Sequence, residues 1–452
     1  IQYTTRSGLF KQTMIPMKKY IYLVVLLLAF ISCNKRKQGI ESPPKILNEI
    51  FVADSLQNET TEFLLSDVVS DIEIIPLETT EKSAFKFLTN LQVGANDIFI
   101  NSRIAVLRFD INGKFLHKIG SKGEGPQDFL ICEGIGIDEQ TRLVHIAAAL
   151  SSTNQIRTFT YDGKFVKSTR IAEDGAYMSG SNHSEGRSYA FFNNQHLFRR
   201  MLPVWDGSKD IWLIQIQDTA GNVKARFYDP ANYGSEGQIH KHSADGKNII
   251  PHYWTEFSCV FNRYNDKINF LFDTNDTIYQ YNDVKATLKP RFILHCGSRP
   301  TISEIRKLDK SPEYFKYVVV TDVLETKDWM FLIAEKDNLS YLLRFDKLTG
   351  SIQTIHTEGE IAESRIMQIR YRKTDPPGFT NDLCGGLPFY PSFQTEKRWI
   401  AQFDAADLLE KVDLNELKSS DYLLPSKRDK LVKIIENLKE DDNPVLMIAT
   451  LK

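Results

Sequence analysis

The segment NDLCGGLPFYP, residues 381–391, contains the residue types best suited to hold a ligand. Asn381 and Asp382 carry side-chain oxygens that could coordinate a cation or accept a hydrogen bond from a sugar hydroxyl. Gly385 and Gly386 lack a Cβ atom, so the backbone there can approach another group closely. The segment is a candidate binding loop, and the alternative is a turn held by the Asn and Asp side chains.

Histidines and aromatic residues form a second group of candidates. His240 and His242 would lie on the same side of a strand, as half of a metal site, with His252 following at no spacing typical of a third ligand. The sequence therefore predicts no metal site and no cofactor. Tyr253 and Trp254 could stack on the face of a sugar, or fill a gap between sheets.

Motifs of well-defined catalytic mechanisms are absent from the sequence. It has no Gly-x-Ser-x-Gly elbow, no His-Glu-x-x-His helix, no Walker-type phosphate loop and no EF-hand loop. A Ser/His/Asp triad stays open, because its members need not be close in sequence. No catalytic residue is assigned, and whether the protein is an enzyme is left open, with binding without turnover favoured.

The elements that must position these candidates are repeated hairpins. Four of them have an alternating apolar strand, a turn of the Asp/Asn-x-Gly or Thr-Gly type, in which glycine supplies the positive φ of a tight turn, and a second strand. One diverged unit, Ile268–Leu294, has two strands around polar turn residues. The hairpins occupy Leu107–Gly120, Arg157–Ile171, Trp212–Asp229, Ile268–Leu294 and Tyr341–Ile355. A repeat of about 50 residues with several strands is typical of propeller blades. The glycine-rich stretch 120–126 follows a hairpin and ends on Pro126, so it is interpreted as a connection between blades.

The predicted fold is all-β: a six-bladed β-propeller over residues 66–405, with a short helical C-terminal extension, 406–452, packed on it. The strand Asp71–Leu77 is expected to close the ring by pairing with the last blade. Ser426 is expected to cap the last helix. A divalent cation in the central channel is left open. The six blades are expected near residues 84–126, 127–175, 185–230, 247–297, 313–358 and 375–405.

The N-terminal residues indicate export. Lys18 and Lys19 precede the apolar run Ile21–Ile31, which is shorter than the roughly 20 residues that cross a bilayer, so residues 17–32 are interpreted as a signal peptide. The residues FISC, ending at Cys33, resemble a bacterial lipobox, which implies acylation of the cysteine and the lipid bilayer as a partner. Residues 1–16 are interpreted as a non-native or upstream extension, and 33–65 as a lipid-anchored tether.

Charge and cysteine content exclude or leave open several other properties. The chain has 56 basic and 58 acidic residues and no basic run beyond residues 35–37, so a nucleic-acid partner is not expected. Four cysteines follow Cys33 at irregular spacings, which favours buried free thiols over one disulfide. They are Cys132, Cys259, Cys296 and Cys384.

Five stretches, taken in order, give the chain a family resemblance. They are IEIIPLETT (72–80), FDINGKFLHKIGSKGEGP (109–126), NDTIYQY (275–281), NDLCGGLPFYP and the ending DDNPVLMIATLK. With them the chain resembles the six-bladed β-propeller lipoproteins of Bacteroidetes, which are related in architecture to NHL and TolB-like propellers. The resemblance implies an outer-membrane lipoprotein, on the periplasmic face in preference to the cell surface, that binds a glycan, a peptide or a partner protein. The alternative, based on fold analogy, is a metal-assisted lyase or lactone hydrolase with its site at the channel.

One modification site is also suggested. Asp54-Ser55-Leu56 resembles the short acceptor sequence for O-glycans in the same bacteria, so Ser55 is a candidate for O-glycosylation.

Overall fold

Antiparallel four-stranded sheets are the repeated unit of the structure. It is a computed structural model that describes residues 48–123, 125, 127–149, 154–172, 189–199, 214–227, 259–272, 276–299, 313–364, 369–395 and 397–452. Of the residues just given, 51% are in strands and 12% in helices, and six sheets form a six-bladed β-propeller. The predicted fold class is confirmed.

The first described elements precede the blades. They are β1 (Asn48–Ile50), α1 (Val52–Ser55), α2 (Leu65–Val68) and β2 (Val69–Pro76). Residues 48–68 are called the rim segment below, because they lie along the outer strands of other blades.

Blades 1 to 3 are complete sheets whose strands are hydrogen-bonded in chain order. Blade 1 contains β3 (Asn90–Val93), β4 (Asp97–Asn101), β5 (Val106–Asp110) and β6 (Phe115–Ile119). Blade 2 contains β7 (Ile131–Asp138), β8 (Leu143–Ala149), β9 (Asn154–Thr160) and β10 (Phe165–Arg170). Blade 3 contains β11 (Tyr189–Phe192), β12 (Gln195–Arg199), β13 (Ile214–Asp218) and β14 (Val223–Phe227).

Blades 4 and 5 have the same strand order. Blade 4 contains β15 (Cys259–Tyr264), β16 (Lys267–Phe272), β17 (Thr277–Asn282) and β18 (Thr287–Leu294). A 3-10 turn, Tyr314–Lys316, precedes blade 5, which contains β19 (Val319–Glu325), β20 (Trp329–Lys336), β21 (Leu339–Asp346) and β22 (Ile352–Glu358). A separate hairpin follows, formed by β23 (Glu360–Ser364) and β24 (Ile369–Lys373).

Blade 6 is assembled from both ends of the described chain. It contains β25 (Phe393–Gln394), β26 (Arg398–Phe403) and β27 (Val445–Leu451), and β2 is its outermost strand. β2 and β27 are antiparallel, from Val69 opposite Leu451 to Pro76 opposite Val445. The expected closure of the ring by this N-terminal strand is therefore present, and it removes an open sheet edge.

The C-terminal helices form an insertion in blade 6, which corrects the predicted helical extension over 406–452. They are α3 (Ala405–Lys411), α4 (Leu414–Ser419) and α5 (Pro425–Asn437), all between β26 and β27. The last seven-residue strand belongs to the propeller because its residues are almost fully buried and paired on both sides. The expected cap at Ser426 is also wrong: Pro425 is the first residue of α5, where its missing N–H costs nothing.

Apolar side chains fill the spaces between adjacent blades. Leu197 and Ile216 of blade 3, for example, share a buried cluster with Phe270 and Tyr281 of blade 4. The sheets thus bury both faces, and only their edges point to the channel or to the outside.

The repeated turns join the third and fourth strands of a blade. In blade 1, Asp110 Oδ1 accepts hydrogen bonds from the backbone N–H of Asn112 and Lys114, each 2.9 Å long, and Gly113 has φ +89°. Asp218 and Gly221 repeat this arrangement in blade 3. Burial raises the pKa of Asp218, but hydrogen bonds from Asn222 and Ala220 outweigh it and lower that pKa to about 2.

These glycines also let one blade pack on the preceding one. A Cβ atom at Gly113 would lie 2.2 Å from the carbonyl oxygen of Pro76 in β2, and one at Gly221 would lie 3.2 Å from that of Arg170 in β10. Gly350, at the corresponding turn of blade 5, has φ +74° and no atom within 4 Å of an added Cβ.

Substitution Gly113→Ala should therefore destabilise the protein more than Gly350→Ala. Both place alanine in the left-handed region, which costs about 1–2 kcal/mol, and only the first adds a clash with a strand of blade 6. Urea unfolding of the two variants measures the difference. Equal losses of unfolding free energy would show that the turn at Gly113 is not a packing contact.

The rim segment corrects the predicted tether over residues 33–65. β1 pairs in parallel with β18 of blade 4, and Thr60 N donates to Thr354 O of blade 5 at 2.9 Å. Ile50 and Val52 are fully buried and Phe63 is 1% exposed. Because these apolar residues pack on the propeller, residues 48–65 are part of the folded structure and not of a tether.

Candidate functional site

The long connections of the propeller begin and end at the same end of the blades. The strands of a blade alternate in direction. The connections from the first to the second strand and from the third to the fourth strand therefore start at one end of the blade. The connections from the second to the third strand and from one blade to the next start at the opposite end. We call these the turn face and the loop face. The turn face has only short links, such as 94–96, 193–194 and 265–266. The strand ends at the loop face are joined by longer links, which include 171–188, 200–213, 228–258, 295–318 and 404–444.

Side chains of the innermost strands hold neighbouring blades together around the channel. Asn262 Nδ2 of blade 4 donates to Val323 O of blade 5 at 2.7 Å, and Gln394 Nε2 of blade 6 donates to the same carbonyl at 3.4 Å. Asn90 Oδ1 of blade 1 accepts from Ile135 N of blade 2 at 3.3 Å. These bonds fix the innermost strands against one another, so groups near the channel are held in place.

Blades 2 and 3 meet through glycines and aromatic rings. An added Cβ at Gly136 would lie 2.2 Å from Phe191 Cβ, and one at Gly134 would lie 2.9 Å from Tyr189 Cβ. The two glycines of β7 therefore leave the space that the aromatic residues of β11 occupy.

Glu133 lies next to these glycines, at an irregularity of β7 where its neighbours Cys132 and Gly134 pair with adjacent residues of β8. It is close to the loop-face end of the innermost strand and half-buried. Burial raises the pKa of its carboxyl to about 7, with Arg103 acting in the opposite direction. Such a bulge redirects a side chain relative to the regular strand.

The backbone around Glu133 is fixed by the loop-face link of blade 1. Cys132 N donates to Arg103 O at 2.7 Å, and Asn101 Nδ2 donates to Cys132 O at 3.0 Å. Arg103 has φ 70°, and Asn101 Oδ1 accepts from its N–H at 2.8 Å. Arg103 and Ile104, which is 53% exposed, thus project from a fixed link, and Arg103 is close enough to the carboxyl of Glu133 to lower its pKa.

Two further side chains near Glu133, those of Tyr189 and Arg263, belong to blades 3 and 4. Tyr189 of blade 3 is buried, and burial raises its pKa; Cys132 raises it further and Arg263 lowers it. Arg263 Nη2 donates to Phe191 O at 2.5 Å, and burial lowers the pKa of its guanidinium. We call these residues the channel cluster; they are Arg103, Cys132, Glu133, Tyr189 and Arg263.

The channel cluster can bind both signs of charge. The carboxyl of Glu133 changes charge near neutral pH, so it can pair with a cation or exchange a proton, and Arg103 can pair with an anion. The pKa of the Cys132 thiol is raised well above its ordinary value, first by burial and then by Glu133, so this thiol is a poor nucleophile. Within the described ranges, no three His, Cys, Asp or Glu side chains could hold a metal ion.

The predicted binding loop is instead a packed turn. Asn381 is 5% exposed; its Nδ2 donates to Gly385 O at 2.7 Å and its Oδ1 accepts from Cys384 N at 3.2 Å. Asp382 Oδ1 accepts from Ser66 N of the rim segment at 2.9 Å. The alternative interpretation, a turn held by Asn and Asp side chains, describes these contacts.

The paired glycines of this turn make room for the inserted helices. Gly385 and Gly386 have φ of +78° and +91°, and a Cβ at Gly385 would lie 2.5 Å from Leu417 Cδ1 of α4. A Cβ at Gly386 would lie 3.0 Å from Leu431 Cδ2 of α5. All four residues are accounted for by internal contacts, so they are not part of the site proposed below.

The remaining sequence candidates have different outcomes. Cys33, His240, His242, His252, Tyr253 and Trp254 lie outside the described residues. Ser55 is 5% exposed in the packed rim segment, so a glycan on its hydroxyl would have to displace that segment. The thiols of Cys132, Cys296 and Cys384 are free and buried.

Sequence reasoning missed Glu133 and Arg103. A signal was present, because Glu133 is the single charged residue before Asp138 in the otherwise apolar and glycine-containing strand ICEGIGID. Burying a charge without a partner is costly, so a charged residue in an innermost strand is expected at an irregular position. The bulge of β7 is such a position.

A pair of buried histidines lies behind the channel cluster, between blades 2 and 3. His145 Nδ1 is 3.1 Å from Thr158 Oγ1, and His196 Nδ1 is 2.9 Å from the hydroxyl of Tyr189. The two ring centroids are 5.1 Å apart. Burial lowers the pKa of His145 to about 4 and, with the neighbouring His145, that of His196 to about 3.

The protein should therefore lose stability as the pH falls from 6.5 toward 4. In this window the unfolded chain binds protons that the folded histidines do not, at about 1.4 kcal/mol per pH unit for each proton. The variant His196→Gln should show a smaller pH dependence of its unfolding free energy between pH 7 and 4, even if it is less stable throughout. An unchanged slope would mean that His196 is not a buried neutral group.

The fold and the channel cluster define a six-bladed β-propeller protein with its long connections on one face. The chain belongs to the family of the domain of unknown function DUF4934, which matches residues 47–450. A Bacteroides fragilis protein described as exported has the same fold, with TM-score 0.55 and 13% identity over 90% of this chain and 100% of that chain. A DUF4221 family member from Bacteroides vulgatus has TM-score 0.41 and 15% identity over 68% of this chain and 89% of that one.

At these identities the similarity concerns the fold alone. No curated protein matches the sequence. In the part of the chain that the structure describes, no helix has the length and apolar character needed to cross a membrane.

Proposed function

We propose that this protein is an exported, outer-membrane-anchored propeller that binds a glycan, a peptide or a partner protein on its loop face. The observation that carries the proposal is the fixed link of blade 1 that presents Arg103 and Ile104 next to the start of β7, where Glu133 lies, at the end of the blades from which the long connections leave. Binding residues are commonly placed on loops that a rigid scaffold positions. The fold shared with an exported B. fragilis protein supports the export part of the proposal.

Anchoring through acylated Cys33 agrees with where the rim segment begins. Fifteen residue steps separate Cys33 from Asn48, which gives a reach of at most about 50 Å from the bilayer to the outer edge of blade 4. The propeller would then stay close to the membrane while it binds a partner at its loop face. The ligand-binding role does not depend on which leaflet holds the acyl chains.

Acylation has a direct test in cells grown with an alkyne-bearing fatty acid. The unmodified protein should take up the label and remain in the membrane fraction, and Cys33→Ser should lose both properties. Cys384→Ser is the matched control, because Cys384 is buried in the packed turn of residues 381–386. Labelling that persists in Cys33→Ser would contradict a lipid anchor at this residue.

Ligand binding is tested by thermal unfolding of the protein from residue 40 onward, with calcium, zinc, a chelator, and panels of glycans and peptides. A ligand at a hundred times its dissociation constant should stabilise the protein by about 2.7 kcal/mol. A metal-independent shift with a glycan or a peptide would support the binding function. A shift that needs the metal would favour the alternative, a metal-assisted lyase or lactone hydrolase.

Each ligand that shifts the midpoint is then measured with Glu133→Gln and Arg103→Ala, which should weaken binding at least tenfold. Asp266→Asn, in a turn-face link, makes the same carboxylate-to-amide change as Glu133→Gln and should leave affinity unchanged. For a cationic ligand, affinity should rise with pH through about 7, because only the ionised Glu133 attracts it. Equal effects of the Glu133 and Asp266 variants would place the site elsewhere.

A further inference from the structure

The most exposed large apolar side chains among the described residues are those of Leu348, Val284 and Leu423, at 94%, 92% and 63%. Val284 lies in the link from the third to the fourth strand of blade 4, and Leu348 lies in the corresponding link of blade 5. A single exposed apolar residue is ordinary on a protein surface. Two that share one position in neighbouring blades, each almost entirely in water, point to a shared surface.

Leu423 lies at the corresponding place of blade 6, where the two ends of the described chain meet and no such link exists. Its N–H donates to Asp382 O at 3.1 Å, and Asp382 Oδ1 accepts from Ser66 N at 2.9 Å. Ser66 belongs to α2, which leads directly into the start of β2, the strand that pairs there with the end of β27. We call these three residues the apolar tips; they are Val284, Leu348 and Leu423.

The corresponding links of the other three blades have no large exposed apolar side chain. Asn112 is exposed in blade 1, the side chain of Asp162 in blade 2 is 86% exposed, and blade 3 has the small residue Ala220. The apolar tips therefore occupy one half of the ring, over three successive blades. Separate aliphatic side chains along an arc fit a partner that is apolar and has no fixed shape, and these are the properties of a lipid bilayer.

The turn that carries Leu348 can enter a lipid surface without leaving polar groups unpaired, which would be costly there. Asp346 Oδ1 accepts from the N–H groups of Leu348 and Thr349, each at 2.8 Å. The ammonium group of Lys347 lies 2.7 Å from the buried carboxylate of Glu325, so it is held in the protein and not at the tip. Leu348 can therefore reach the acyl chains while the polar groups of its turn keep their partners.

The chain enters the propeller on the side of the apolar tips. β1 is parallel to β18, with Asn48 opposite Phe292, so the N-terminal end of β1 points toward Thr287 at the start of β18. Thr287 directly follows the link that contains Val284. A lipid anchor upstream of Asn48 would hold blade 4 near the membrane on this side. Contact between the tips and the same bilayer is then favoured by a high effective concentration.

We propose that the apolar tips insert into the surface of the bilayer that holds the acyl chains, so that the propeller rests on the membrane through blades 4 to 6. This contact rests on the proposed anchoring, since three separate side chains bury too little apolar area to hold the protein alone. It fixes an orientation that the anchor leaves open. Blades 1 and 2, with Arg103 and Glu133, lie across the ring from blades 4 and 5 and stay in water.

The test uses the full-length acylated protein in vesicles, with and without lipids brominated in their acyl chains, which quench tryptophan fluorescence at close range. Val284→Trp, Leu348→Trp and Leu423→Trp each add a reporter to the five native tryptophans. Brominated lipid should lower the added emission at least twofold. Phe87→Trp is the matched control, because Phe87 is 51% exposed in the loop-face link 77–89, and its added emission should not change.

A second set of variants separates the contact from the anchor. In Leu348→Trp protein that also carries Val284→Asp and Leu423→Asp, quenching should fall at least twofold, because the charged tips no longer enter the bilayer. The same protein with Phe87→Asp in place of these two changes should be quenched as before. Cys33 is intact in all of them, so each should stay on the vesicles, and loss from the vesicles would indict the anchor and not the tips.

Three results would overturn the proposal. The first is retention on the vesicles without quenching at the tips, and the second is equal quenching of the tip reporters and of Phe87→Trp. The third is a decrease of the sedimenting mass in solution when the tips are replaced by Asp, with no change in quenching. That third result would make the tips an interface between copies of this chain.

Discussion

Pairing between the first and last strands of the propeller is the interaction on which the rest of the structure depends. β2 and β27 form a ladder from Val69 opposite Leu451 to Pro76 opposite Val445, and Lys452 N donates to Val68 O at 3.0 Å. Without it, blade 6 would have three strands and blade 1 would lose the neighbour against which Gly113 packs. Ring closure therefore determines both the last blade and the contact between blades 6 and 1.

The same closure determines the path of the rim segment. In blade 1, Arg108 Nη1 reaches Asp162 Oδ1 in the turn of blade 2 at 3.0 Å. Arg344 occupies the corresponding position in blade 5, but blade 6 has no such turn, because the two chain ends meet there. Asp67 takes the place of the turn carboxylate. The end of the rim segment thus makes with blade 5 the contact that the turn of blade 2 makes with blade 1.

The links at the two faces of the propeller differ in length because only those at the turn face pack against the preceding blade. Tight turns on one face pack against the preceding blade, so their length and their glycines are restricted by contact. Links on the other face have no such restriction and can grow, as the helical insertion α3–α5 shows. A binding site is therefore expected where blade packing does not restrict the length and composition of a link, next to side chains that packing holds in a fixed position. Glu133 and Arg103 meet both conditions.

The hairpin repeats show how far local sequence reaches. Alternating strands around glycine-containing turns, or around polar turn residues in blade 4, identified the hairpins of blades 1 to 5, because their pairing partners are close in sequence. The last blade could not be identified in this way. In the sequence, its fourth strand, β2, precedes the other five blades, and its third strand, β27, follows them. The helical pattern of α5 was therefore extended over the strand Val445–Leu451, which comes directly after it. Asn381 and Gly385 had the right chemistry for a ligand, but their partners are helices inserted far along the chain.

The sequence by itself determined the fold class, the strand that closes the ring and the composition of the turns, since period-two patterning and positive-φ glycines act over a few residues. Only the tertiary structure decided that the rim segment packs on blades 4 to 6, that the C-terminal helices interrupt a blade, and that Glu133 is the carboxyl with a raised pKa. Each of these depends on desolvation or pairing by residues distant in sequence. A local sequence pattern does not identify the distant residues that bury or pair with a given side chain.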